Sequence, residues 1–130
     1  MTVRGIRGAI TVEANSKESI LEGTKELLLA MQKENKFNTT DIVSIFFSMP
    51  PDLNAAFPAE AARQLGWRMV PLFDTQEIPV AGSLPQCIRI LILINSQKNQ
   101  LEIKHCYLKK AQILRADLME DISEISKRSE

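Results

Sequence analysis

The sequence predicts an α+β fold, a five-stranded mixed sheet with two helices on one face. Three observations carry this expectation. At 130 residues the chain has the length of one domain and can bury about two thirds of the surface its unfolded state exposes. Short apolar runs and stretches of helical periodicity follow one another in the order β α β α β β β. No internal repeat, low-complexity block or linker divides them.

The first run, Met1 to Val12, is rich in branched residues and carries Gly5 and Gly8, so it reads as a strand weakened by glycines that invite close approach. Ser16 is placed to cap a helix along which Ile20, Thr24, Leu27, Leu28 and Met31 recur at three and four, giving one apolar stripe to about Lys36. Ile42 to Ser48 reads as a second strand. Pro50 and Pro51 end it, because proline has no amide to give to a ladder and disfavours helix before it. Pro58 suits the first position of a short helix through Leu65, with Gly66 as its stop. Trp67 to Phe73 reads as a third strand, broken by Pro71 and therefore at an edge or bulge, and Asp74 to Pro85 as loop. Cys87 to Ile94 is the most strand-like stretch, and its lack of alternation predicts burial on both faces, with Arg89 as the interruption. His105 to Lys110 reads as a fifth strand and Ile113 to Leu118 as a helical turn. Residues 119–130 form a tail, either a frayed helix or disordered, beyond a domain of residues 1–118. Two helices of this length leave one face of the sheet bare, so a homo-oligomer is expected.

Sixteen basic against sixteen acidic residues give zero net charge, which removes the electrostatic footprint of a nucleic-acid or anionic-membrane binder. The longest aliphatic runs, Leu27 to Met31 and Ile90 to Ile94, fall far short of the roughly 20 residues of a membrane span. The first residues, with two arginines and Glu13, do not resemble a signal sequence, and a soluble cytoplasmic protein is the expectation. Cys87 and Cys106 show no CxxC spacing and read as small hydrophobes. His105 beside Cys106 makes no metal pair, since adjacent strand residues point to opposite faces and no third ligand is evident. There is no GxSxG, Walker lysine, HExxH or metal cluster and only one histidine, so hydrolysis by a triad is close to excluded.

The candidates for chemistry are arginines in unusual company. Arg89, within Cys-Ile-Arg-Ile-Leu-Ile-Leu-Ile, is costly to bury unless it meets an acceptor. It either makes a structural ion pair, for example with Glu77 or Glu102, or opens onto a cleft. Arg7 stands between Gly5 and Gly8, where missing side chains leave room for a ligand, or is a solvated edge residue. Tyr107 can offer a hydroxyl to a carboxylate or to backbone, and Glu77 sits in a loop of the kind that rims a site. Phe57, an aromatic at a helix entrance, reads as core before it reads as a pocket wall.

Taken together, certain segments resemble the small monofunctional chorismate mutases of the trimeric α/β-barrel-like class. They are Val3-Arg-Gly-Ile-Arg-Gly-Ala9 with Thr11-Val-Glu13, and Pro51-Asp-Leu-Asn-Ala-Ala-Phe-Pro-Ala59 with Ala62-Arg63, Gly66-Trp67 and Val70-Pro71. Gln76-Glu77, Cys87-Ile-Arg89, Tyr107-Leu108, Leu114-Arg115 and Asp117-Leu118 complete the pattern. The resemblance runs from residue 3 to about 118 and implies a homotrimer, a pseudo-barrel whose subunit interfaces hold the active sites. It implies an isomerase of the shikimate pathway and aromatic amino-acid biosynthesis, turning chorismate into prephenate by a cofactor-free [3,3] rearrangement. By the same resemblance Arg89 faces the ether oxygen and one carboxylate, and Arg7 and Tyr107 hold the enolpyruvyl carboxylate. Glu77 accepts from the ring hydroxyl, assisted by the backbone of Phe73, Asp74, Thr75 and Gln76. Phe57 and Leu114 wall the cleft, while Arg63 and Arg115 raise the potential at its mouth. Glu60, where a lysine can stand in related sequences, and Phe73-Asp74, in place of smaller uncharged residues, depart from the pattern. Two other readings stand beside this one: an imine or enamine deaminase on a related trimeric barrel, and a non-catalytic module that binds an aromatic-pathway metabolite.

Overall fold

In the computed structural model, which describes residues 1–115, the chain runs through five strands and two helices. These are β1 (Thr2–Thr11), α1 (Lys17–Asn35), β2 (Ile42–Met49), α2 (Ala59–Gln64), β3 (Leu72–Gln76), β4 (Cys87–Ser96) and β5 (Cys106–Leu108). The strands form one mixed sheet in the order β3-β2-β4-β1-β5. β4 is antiparallel to both β1 and β2, while β5 joins β1 and β3 joins β2 in parallel.

Helix α1 forms where its stripe requires. Ser16 Oγ accepts the Ser19 amide at 3.1 Å, and Lys36 closes the far end in a left-handed conformation (φ 53°). The stripe, from Ile20 to Met31, is buried against the sheet. Helix α2 is held at its start by the neighbouring strand, since Asp74 Oδ1 accepts the Ala59 amide at 3.0 Å. Gly66, at φ 86°, lies just past its end.

The pleat divides the sheet into two layers. Ile6, Ile10, Ile45, Phe47, Ile88, Ile90, Ile92 and Ile94 are buried in the main core with Ile20, Leu27, Leu28 and Met31 of α1. Opposite faces belong to opposite parities, so Arg7, Phe46, Arg89, Leu91 and Tyr107 are on the other side. Phe46 and Leu91 remain exposed there.

Four expectations change. The third strand begins at Leu72 and runs to Gln76, inside the segment read as loop. Trp67 and Val70 are buried without being strand, Trp67 meeting Phe37 edge-on at 6.3 Å. The strand is nevertheless at an edge, as Pro71 suggested. Strand β4 is not buried on both faces within one chain, because Leu91 keeps 37% of its surface exposed. The fifth strand is shorter than expected. It stops at Leu108, where Lys109 at φ 55° turns the chain into a 3₁₀ helix, Lys109–Gln112. The space above Gly8 belongs to α1 and not to a ligand, for a Cβ there would lie 2.5 Å from Met31 Sδ. The turn expected over Ile113 to Leu118 is helical at residues 113–115, and its remainder and the 119–130 tail lie outside the described residues. Among the described residues no helix is long and apolar enough to cross a membrane.

Candidate active site

Strand register assembles the candidate residues on the face that α1 and α2 leave bare. Thr75 pairs with Ser48, Ser48 with Arg89, Arg89 with Ala9 and Ala9 with Tyr107, a single row across all five strands. The next row is Phe73, Phe46, Leu91 and Arg7. Directly opposed residues share a face, so both rows look away from the helices. Between them lies a hollow of about 450 Å³ lined by Arg7, Ser48, Thr75, Arg89, Tyr107 and Leu114 among others. Its floor is apolar, with Ala9, Phe46 and Leu91.

Arg89 is neither sealed in the core nor fully tied off. Its Nε lies 3.7 Å from Glu77 Oε2, too long for a good hydrogen bond, and the two side chains keep 36% and 35% of their surface. Glu77 is placed from below. Its amide donates to the Met49 carbonyl at 2.8 Å, and its Oε2 accepts from Ser48 Oγ at 2.8 Å. The two readings of Arg89 therefore meet in one geometry, a loose ion pair at the edge of an open hollow. Among the described residues Arg7 has no carboxylate partner. Burial pushes the Tyr107 phenol above its usual range, opposed by the nearby Arg7 and Arg89 charges, so the hydroxyl keeps its proton and can donate. Burial likewise raises the Cys87 thiol beside Arg89 and takes Cys106 to about 11, which leaves both as inert hydrophobes.

A second hollow, of about 770 Å³, opens beside the first between the 49–58 loop, the start of α1 and the end of β3. Phe57, Asp74, Thr75 and Gln76 line it, and Thr75 belongs to both hollows. Phe57 is 70% exposed, so it is a wall and not core; the chain turns there into α2 with the ring left outside. Asp74 contributes its carboxylate to the α2 amide, and desolvation raises its pKa against that hydrogen bond and the Arg63 charge. Glu60 pairs with Lys17 at 3.4 Å. Arg63, Phe73 and Arg115 are exposed and line neither hollow, and half-buried Glu77 lines neither, reaching the site only through Arg89 and Ser48.

Two guanidinium groups, a phenol and a carboxylate over an apolar floor can hold a small dianion and one of its hydroxyl groups. The family model described as chorismate mutase type I matches residues 3–118. The chain belongs to that family. Among chorismate mutases it is 49% identical over 117 residues to chorismate mutase AroH of Thermus thermophilus, covering 89% of this chain and 96% of that one. To the AroH of Bacillus subtilis (strain 168) it is 45% identical over 119 residues, 91% and 94% of the two chains. A solved chorismate mutase from Clostridium thermocellum superposes with a TM-score of 0.83 at 44% identity, over 84% of this chain and 97% of that chain. The chain is a chorismate mutase of the α+β type, an isomerase of aromatic biosynthesis.

Sequence reasoning missed three residues that contact the candidate groups. Ser48 orients Glu77, Lys17 pairs with Glu60, and His105 contacts the backbone of Arg7. A serine or lysine has no distinctive pattern of its own. Only register, which opposes Ser48 to Arg89, marks the first.

Proposed function

We propose that the bare-face hollow holds chorismate while it rearranges to prephenate, and that residues 1–118 are the catalytic unit. The observation that carries this is the five-strand row with Arg89 at its centre, charged, half-exposed and only loosely held by Glu77. The reaction breaks a carbon–oxygen bond as a carbon–carbon bond forms within one molecule, so no proton, nucleophile or electron carrier has to be supplied. What remains for the protein is to hold the flexible dianion in its compact conformer and to stabilise the charge that grows on the ether oxygen.

Arg7 and Tyr107, in adjacent rows beside Ala9, take the enolpyruvyl carboxylate. Arg89 reaches the ether oxygen and the second carboxylate with its planar fork, and its interaction strengthens as the bond lengthens. Glu77, turned by Ser48, accepts the ring hydroxyl and lines up the ring against Arg89. Leu114 closes the hollow on one side. Phe57, with the backbone of Phe73 to Gln76, forms the facing wall, and Arg63 and Arg115 lend positive potential at the mouth.

A homotrimer completes this cleft. Its support is the apolar surface of Phe46, Leu91 and Phe73 left open on one chain, together with the expected interface location of the site. The two unpaired thiols suit a cytoplasmic setting. The test is turnover of chorismate by the purified full chain, followed as loss of its absorbance and appearance of prephenate. Binding without turnover would overturn the proposal in favour of a metabolite-binding module, and ammonia release from imines in favour of a deaminase.

A further inference from the structure

We infer that His105 is a positioning residue for Arg7, its imidazole forming the last rung between β1 and the start of β5. The inference rests on the reading of Arg7 as a carboxylate-holding residue.

Strand β5 joins β1 through only three residue pairs, Gly8 with Cys106, Ala9 with Tyr107 and Ile10 with Leu108. One step earlier in this parallel register, Arg7 would oppose His105, and there the backbone pairing has ended. The Arg7 amide instead donates to His105 Nδ1 at 2.9 Å. Two residues before it, the Gln100 carboxamide holds both backbone groups of Gly5, accepting from the amide at 3.0 Å and donating to the carbonyl at 2.7 Å. The outer edge of β1 from Gly5 to the Arg7 amide is therefore completed by side chains that imitate a strand, and the β5 backbone takes over at Gly8.

This matters at Arg7 more than elsewhere on the edge. The same residue whose amide is held carries a guanidinium into the hollow, and His105 stands two positions from Tyr107, the other carboxylate-holding group. This bond, at the end of the ladder that pairs Ala9 with Tyr107, fixes the Arg7 side of that spacing. A charged donor displaced by about 1 Å loses much of its effect, so an edge bond of ordinary strength has leverage on binding. For Nδ1 to accept, the ring must be neutral with its proton on Nε2. Burial, with Arg7 as the neighbouring charge from β1, favours that neutral form.

The test uses the full chain in three versions. His105→Phe keeps a flat ring and removes the acceptor, while His105→Asn places an amide oxygen close to the position of Nδ1. His105→Phe is expected to raise KM for chorismate roughly fivefold to tenfold, the effect of one lost hydrogen bond, with kcat changed less than about twofold. His105→Asn is expected to return KM to within about twofold of the unsubstituted chain. A purely structural role would lower the active fraction, and so kcat, without moving KM. Unchanged KM in His105→Phe, or an equal rise in both variants, overturns the inference. Absence of turnover in the unsubstituted chain overturns the reading of the cleft, and the inference with it. Should neither variant fold, the nitrogen spectrum of the unsubstituted protein decides: a proton on Nε2 with an exchange-resistant Arg7 amide supports the bond, and a proton on Nδ1 or a freely exchanging amide overturns it.

Discussion

The role proposed for Arg89 depends on shape as well as charge. A guanidinium has a planar fork that can meet an ether oxygen and a carboxylate together, whereas an ammonium is a point charge with a different reach. Arg89→Lys should therefore lose on the order of a hundredfold or more in kcat/KM while keeping its charge, as measured by chorismate consumption. Near-normal turnover would remove Arg89 from its assigned role. The residue was legible because a cation in an isoleucine run demands an explanation. Ser48 was not, since a hydroxyl in a strand has no meaning until its cross-strand neighbour is known, and Thr75 entered only through the family resemblance. Phe57 was read as core on type alone, and its exposure depends on how the loop before α2 turns. His105 adds a prediction about pH. Burial first, and then the Arg7 charge, lower its pKa below 6.5. The folded chain thus binds this proton less tightly than the unfolded chain, so the contribution to stability is complete above 6.5 and is lost as pH falls through the folded value. Urea midpoints measured on the descent from neutral pH should drop more steeply in the unsubstituted chain than in His105→Asn.

Elements follow from patterns wherever packing and periodicity agree. The stripe of α1 and its Ser16 cap were readable because a helix buries every third or fourth residue against a sheet. Strand β3 was misplaced because an apolar run says only that residues are buried. Trp67 and Val70 reach the core from irregular chain, while polar Thr75 and Gln76 are strand because β2 offers them partners. Contact between α1 and β1 is close enough to be tested by one methyl group. Gly8→Ala would force the added carbon against Met31 and Leu27, and should cost about 1–3 kcal/mol, read as a lower urea midpoint. At the start of α2, Asp74→Ala removes the acceptor for the Ala59 amide and should cost about 1 kcal/mol, whereas Asp74→Asn, which keeps an acceptor oxygen, should cost less.

For the whole molecule, the bare face was legible as an absence. Two helices too small to cover a five-stranded sheet left half of it without a partner, and the structure leaves Phe46, Leu91 and Phe73 exposed on that half. The proposed homotrimer predicts a light-scattering mass three times that of the chain, and specific activity that falls on dilution as subunits part. A monomer with undiminished activity would contradict it. Strand β4 sends isoleucines 88, 90, 92 and 94 to one side and Arg89 and Leu91 to the other. Insertion of a single amino acid early in β4 would turn the strand inside out, driving the guanidinium into oil and isoleucine into water. Folding and the proposed catalysis share that one parity, and a frame error of one position would extinguish both.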